Sequence, residues 1–182
     1  MKILPYSTKP VTLYKWHPTY LQVADKLKSY LHNKIPDINI YHFGSTSIPG
    51  CDGKDIIDFV ITYKQNDLER IKNRIDHLGF QKQISRDPFP ESRPMRTGGV
   101  RYNGTIYRIH LHIIFEGSDE IQRILSFRNL LIENAALKQA YINLKYKIVN
   151  KGILDPTDYC QAKKTFVNSL QKYRSQNRVE GK

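Results

Sequence analysis

The fold is decided by His42-Phe43-Gly44-Ser45-Thr46-Ser47-Ile48-Pro49-Gly50, followed by Lys54 and by Ile56-Ile57-Asp58-Phe59-Val60-Ile61. Ile38 to Phe43 reads as a strand, and the small residues after it make a tight connection. The run from Ile56 to Ile61 is β-branched and apolar except at Asp58, the pattern of a strand covered on both faces. A Gly-Ser turn leaving a strand gathers backbone N–H groups and hydroxyls, and that cluster of donors suits a phosphate. Gly44, Ser45 and Thr46 are therefore candidate phosphate ligands. The spacing is not that of a P-loop. Burying the Asp58 carboxylate is costly without compensation. A metal, backbone donors or a cation such as Lys54 can supply it.

Outward from this block, helices and strands alternate with recognisable punctuation. His17-Pro18 opens a helix to about Asn33 with an apolar stripe, and Pro36 ends it. Asn66 can cap a second helix carrying Glu69, Leu68, Ile71, Ile75 and Leu78, which Gly79 closes. Arg86 to Gly99, rich in proline and arginine, reads as a long functional loop. Asn103-Gly104 signals a hairpin between Val100-Arg101-Tyr102 and a strand from Ile106 to Phe115. Helices follow: one capped by Ser118, one carrying Leu137, Tyr141, Leu144 and Ile148, and one opened by Asp155 and Pro156. Strands early and helices late make the class α+β, a mixed sheet with helices packed on it and a helical C-terminal portion. Residues 1–182 fit one domain.

In the long strand, His110 and His112 share a face about 6–7 Å apart, a spacing that lets two imidazoles converge on one metal ion. His42 stands at the end of the preceding strand and can join them. Arg86, Arg93, Arg96, Arg101 and Arg108 offer guanidinium forks for one wall of an anion pocket. The helical tyrosines read as core and rim residues.

Composition bounds the partners. Lys and Arg total 29 against 17 Asp and Glu, a formal net charge of +12. A field of that sign draws nucleotides, other small anions or nucleic acid, without choosing among them. The basic tail from about 174 to 182 reads as a solvated, fraying end. No apolar run reaches bilayer length, the N-terminus lacks a secretory pattern, and two cysteines far apart read as free thiols. The expected compartment is the cytoplasm.

With these residues in view, the chain resembles the GrpB family, assigned to the DNA polymerase β-like nucleotidyltransferase superfamily. His42 to Gly50 with Lys54 and Ile57-Asp58 is similar to the family's H-h-G-S-T-x-h-P-G…K-P-h-I-D pattern. His110-Leu111-His112 matches its H-L-H strand, Phe127-Arg128 its F-R helix, and Tyr159, Lys163 and Phe166 its Y-x-x-x-K-x-x-F helix. Asp55 replaces the usual proline, Tyr20 stands where the family has tryptophan, and the arginine loop matches at Arg93 and Arg96. The resemblance covers roughly residues 9 to 172.

The resemblance implies a nucleotidyltransferase-like fold in which the Gly-Ser turn holds nucleotide phosphates, aided by Lys54, Arg93, Arg96 or Arg108. Superfamily enzymes bind divalent metals with an Asp-h-Asp pair and a third carboxylate. Here Ile56 stands at the first position, leaving Asp58, with His110 and His112 where a third acid is expected. One carboxylate with imidazoles (Asp58, His110, His112, His42) suits Zn²⁺, Mn²⁺ or Fe²⁺ better than Mg²⁺. Two functions follow. One is a nucleotidyl transfer enzyme with Asp58, His110 and His112 as catalytic groups. The other is a degenerate scaffold that binds a ligand or a protein partner.

Overall fold

The apolar run around Asp58 forms the middle of a mixed sheet. The computed structural model describes residues 1–177, with side chains through residue 170. The elements are β1 (Ile3–Leu4), α1 (Thr19–Lys34), β2 (Ile40–Phe43), β3 (Ile56–Tyr63), α2 (Leu68–His77), β4 (Gln81–Lys82), β5 (Met95–Tyr102), β6 (Thr105–Phe115), α3 (Asp119–Glu133), α4 (Ala135–Asn150) and α5 (Pro156–Asn177). The strands lie in the order β1-β5-β6-β3-β2, with β4 beside β5. Only β3 and β6 run parallel, and that pairing sets Asp58 opposite His110. Of the basic tail anticipated at 174–182, residues 178–182 and the side chains from 171 onward lie outside what is described.

Strand alternation divides the sheet into two unlike faces. Ile57, Phe59 and Ile61 of β3 and Ile109, Leu111 and Ile113 of β6 are fully buried against Val23, Leu27 and Leu31 of α1 and Ile71 and Ile75 of α2. On the other face stand Asp58, His110 and His112. Farther along that face, Val60 and Ile114 pack on Ile121 of α3. Cys51 and Ile48, just after the Gly-Ser turn, pack on Leu131, Tyr141 and Leu170 of α3, α4 and α5. The helical C-terminal portion thus covers the polar end of the sheet.

Several boundaries differ from expectation. The 86–99 loop is shorter, because β5 begins at Met95 and pairs with β6 from His112 onward. Gly98 and Gly99 hid this strand, yet packing requires at least the first: a Cβ on Gly98 would stand 2.8 Å from the Phe80 ring and 2.9 Å from Ile3. Asn66 does not cap α2. It takes a left-handed conformation at φ 68, and Asp67 holds the N-cap position with its carboxylate turned to Arg70. Asp55 also sits at a positive φ of 59. Proline, locked near −65°, has no access to that turn. The entry into β3 is therefore built differently from the family pattern. Ser118 and Asp155 cap α3 and α5 as expected, each accepting backbone N–H bonds.

Candidate functional site

The Gly-Ser turn is held against β3 by its own backbone. Gly44 has φ 73, and a Cβ there would stand 2.5 Å from Asp58 Oδ2. Glycine is thus needed twice, for the left-handed conformation and for the close approach. Ser45–Ser47 form a 3₁₀ turn. Its three hydroxyls have different duties. Thr46 is buried and donates to the Ile56 carbonyl at 3.1 Å, and Ser47 donates to the Gly44 carbonyl at 2.7 Å. Thr46 therefore serves the turn and does not line the cavity, contrary to the phosphate role anticipated for it. Ser45 does line it, and accepts a hydrogen bond from Lys145 Nζ at 3.1 Å.

Asp58 finds its direct partner on the neighbouring strand. His110 Nδ1 lies 3.2 Å from Asp58 Oδ1, while its Nε2 lies 2.9 Å from the Tyr6 hydroxyl. Lys54, the cation suggested by the sequence, makes no salt bridge with it and acts only at longer range. Burial works to raise the Asp58 carboxyl, but the His110 hydrogen bond and the charges of His110, His112 and Lys54 outweigh it and hold the group below the usual carboxylate range. His112 Nδ1 accepts from Arg93 at 2.8 Å, and Arg93 is itself paired with Glu120. Burial, reinforced by the Arg93 charge, pushes His112 down to about 3. It is therefore a neutral ring at physiological pH.

His42 does not join this group. Its strand neighbour Phe43 pairs with Asp58, so His42 faces the opposite side, where it stacks near Phe59 and bonds Thr46 Oγ1 at 3.0 Å. Burial pushes it down to about 4. Arg96 is on that far face too. It is 1% exposed and forked between Asp76 of α2 and Glu91, a structural tie unconnected with the site. Arg86 pairs with Asp155 and Asp158. Arg101 donates to the hairpin carbonyl of Gly104. Of the five arginines, Arg93 and Arg108 reach the polar face.

These groups open onto a cavity of about 530 Å³ lined by Gly44, Ser45, Lys54, Asp58, His110 and His112 on the sheet side and by Tyr141, Tyr159, Cys160 and Lys163 on the helical side. Lys54 and Lys163 lie over the Tyr159 ring at 5.3 and 4.5 Å. Burial lowers the proton affinity of both amines, and neither makes a salt bridge among the described residues. Tyr159 is fully buried, and its hydroxyl has no hydrogen-bond partner among the described residues. Lys145 and Lys163 were not anticipated as site residues. Tyr159-x-x-x-Lys163 places both side chains on one face of α5, which was the available signal for Lys163. Lys145 carried none.

Asp58, His110 and His112 bring three ligand-type atoms within 4.8 Å of one another, a group that could hold a divalent ion. One carboxylate and two imidazoles match Zn²⁺ or Mn²⁺ in donor type and do not match the all-oxygen octahedron of Mg²⁺. The Arg93 guanidinium on His112 adds a positive charge beside the cluster.

Comparison with known proteins places the fold. The model of the family described as GrpB protein matches residues 10–173. The UPF0157 protein BH1888 of Halalkalibacterium halodurans is 28% identical over 160 residues, 87% of this chain and 77% of that protein. The glutamate-rich protein GrpB of Alkalihalophilus pseudofirmus is 29% identical over 153 residues, 82% of this chain and 87% of that protein. The crystal structure of GrpB from Enterococcus faecalis superposes with a TM-score of 0.71 at 21% identity, over 92% of this chain and 99% of the other. A mutant Cid1 poly(U) polymerase bound to MgATP superposes at 0.55 and 16% identity, over 81% of this chain but half of Cid1. The shared fold is that of nucleotidyltransferases. Among the described residues no helix is long and apolar enough to cross a membrane. The chain belongs to the GrpB family.

Proposed function

We propose that this chain binds a nucleotide, or another small ligand bearing phosphate, in the cavity between the Gly44–Ser45 turn and α5. The observation that carries this reading is the pair Lys54 and Lys163: two cations line one partly buried cavity with no carboxylate paired to either among the described residues. Asp58 acts on both amines only from beyond ion-pair distance; a buried charge without a close counter-ion is expensive, and a phosphate entering there would supply one. Tyr159 points the same way. Burial pushes its phenol up, so it remains a donor without an acceptor, and a ligand oxygen could complete it. The Cid1 neighbour with MgATP shares the scaffold, which supports the reading by analogy of fold.

Asp58, His110 and His112 are the residues that would hold a divalent metal, whose charge would polarise a phosphoryl oxygen. The protein's own groups have narrower tasks: the turn and lysines bind, Tyr159 orients, and Asp58 holds the His110 ring. That last contact favours a second reading, nucleotidyl transfer, in which His110, not ligating a metal, accepts the proton of an acceptor hydroxyl while that oxygen bonds the nucleotide's α-phosphorus and pyrophosphate leaves. Ile56 in place of a carboxylate favours binding without turnover.

Calorimetric titration of metal-stripped protein with ATP, GTP, CTP and UTP, with and without Mg²⁺, Mn²⁺ or Zn²⁺, tests this. Binding weakened about tenfold or more in Lys163→Gln is expected, the loss of one charge-assisted hydrogen bond. Flat titrations up to millimolar nucleotide under every metal would sink it. If added metal strengthens binding in the wild type but not in Asp58→Asn, the metal sits in this cluster.

A further inference from the structure

A second, smaller chamber of about 150 Å³ lies beside the first, lined by Tyr6, Thr8, Lys9, Thr97, Arg108 and His110. Lys54, Ile56, Met95 and His110 are among eight residues that line both chambers, so the two adjoin along a shared wall. That space takes the head of a small oxyanion and falls well below the roughly 300 Å³ at which pockets for larger ligands begin.

Its charge is the informative feature. Arg86, Arg93 and Arg96 are each neutralised by carboxylates of this chain. Arg108 makes no salt bridge among the described residues; it donates to the Lys54 carbonyl, and its charge reaches the Tyr6 hydroxyl and, beyond ion-pair distance, Asp55. Lys9 adds a second positive side chain. One carboxylate, Asp155, is on the lining, but its Oδ1 accepts the Thr157 and Asp158 backbone N–H groups at 2.9 and 3.1 Å and lies 3.4 Å from Arg86. The Tyr6 hydroxyl on the chamber's wall lies 2.9 Å from His110 Nε2, and His110 Nδ1 lies 3.2 Å from Asp58 Oδ1 on the wall of the large cavity.

We propose that the smaller chamber is a separate subsite for the oxyanion head, carboxylate or phosphate, of a second small ligand, with Arg108 as its main reader. A fork with unused N–H donors fits either oxyanion bidentately, and the Tyr6–His110–Asp58 chain places that ligand next to whatever occupies the large cavity. Only the adjacency rests on the function proposed above; the subsite itself does not.

The test uses NMR of protein carrying isotope-labelled tyrosine, in which Tyr6 reports the small chamber and Tyr159 the large one. Acetate and inorganic phosphate are titrated separately, each without and with saturating ATP. The expected result is that at least one of the two anions shifts Tyr6 saturably, that ATP does not displace it, and that Arg108→Gln weakens it about tenfold or more. Whichever anion acts names the head group. Tyr6 unmoved by either anion, an Arg108→Gln protein titrating like the wild type, or ATP displacing the anion from Tyr6 would each overturn the proposal. If ATP fails to move Tyr159 while an anion still moves Tyr6, the nucleotide reading of the large cavity falls and the subsite stands.

Discussion

The two faces of the sheet use the same residue types for opposite ends. On the α1–α2 face, a buried cation, Arg96, is matched at once by Asp76 and Glu91, and its neighbour Lys72 by Glu69 and Glu91. On the other face, Lys54, Lys163 and Arg108 make no salt bridge among the described residues, and the nearest carboxylate on the sheet, Asp58, is already paired with a histidine. A closed ledger of charge marks a face built for stability. An open one marks a face that needs something from outside.

The sharpest way to break this contrast is to damage each face and ask which property fails. Phe59→Ala, in the apolar face, should cost about 3–5 kcal/mol of stability by chemical denaturation. Asp58→Asn, its immediate neighbour on the other face, should keep stability within about 1 kcal/mol, because an amide oxygen still accepts the His110 hydrogen bond. Comparable losses in the two would erase the distinction.

Arg96→Met and Arg108→Gln set the same comparison between two arginines. Removing Arg96 leaves Asp76 and Glu91 facing each other without their cation, and should cost about 2 kcal/mol. Both carboxylates are partly solvated, so the penalty stays below that of a fully buried pair. Arg108→Gln should leave the unfolding midpoint nearly unchanged.

Lys163→Met should go the other way. Burial depresses the Lys163 amine, so its charged form is disfavoured in the folded state; that penalty is full below the folded value and is relieved as pH rises from there to the unfolded value. The substitution should raise stability by about 1 kcal/mol while weakening nucleotide binding. A thermal melt and a titration on the same sample read both signs. A lower melting temperature would argue that Lys163 has a structural partner after all.

The smallest effect concerns acid. Its hydrogen bond from Arg96 outweighs burial and, with Lys72 and Lys82, holds Glu91 down at about 2, against an unfolded value of 4.5. A depressed carboxyl contributes stability that is fully present above the unfolded value and is lost as pH falls through the folded one. Stability should therefore decline between about pH 4.5 and 2, and Glu91→Gln should flatten that part of the curve. An unchanged acid limb would place the Arg96 tie on Asp76 alone.

Much of this was legible from residue order. The β3 run, the alternation of His110 and His112 with apolar neighbours, and the caps at Ser118 and Asp155 depend on local periodicity and local hydrogen bonds, which a sequence displays directly. Gly44 was legible as a turn residue, but not as the residue that lets the backbone touch Asp58. Where local rules misled, packing had overridden them. Gly98 looks like a loop residue until Phe80 and Ile3 are seen pressed against it. Asn66 looks like a cap until its left-handed φ is known.

By itself, the sequence determined the helices, the strands β2, β3 and β6, the lone carboxylate in β3 and the two histidines that share its face. Tertiary structure alone decided which charges are spoken for. His42 left the cluster because β2 pairs with β3 so that Phe43, not His42, stands opposite Asp58. Arg96 and Arg108 parted company because β5 and β6 pair in a register that turns one toward α2 and the other toward the cavities. Lys145 and Lys163 reached the site because α4 and α5 pack over it. Each of these depends on contacts between residues far apart along the chain, and such contacts exist only once the chain has folded.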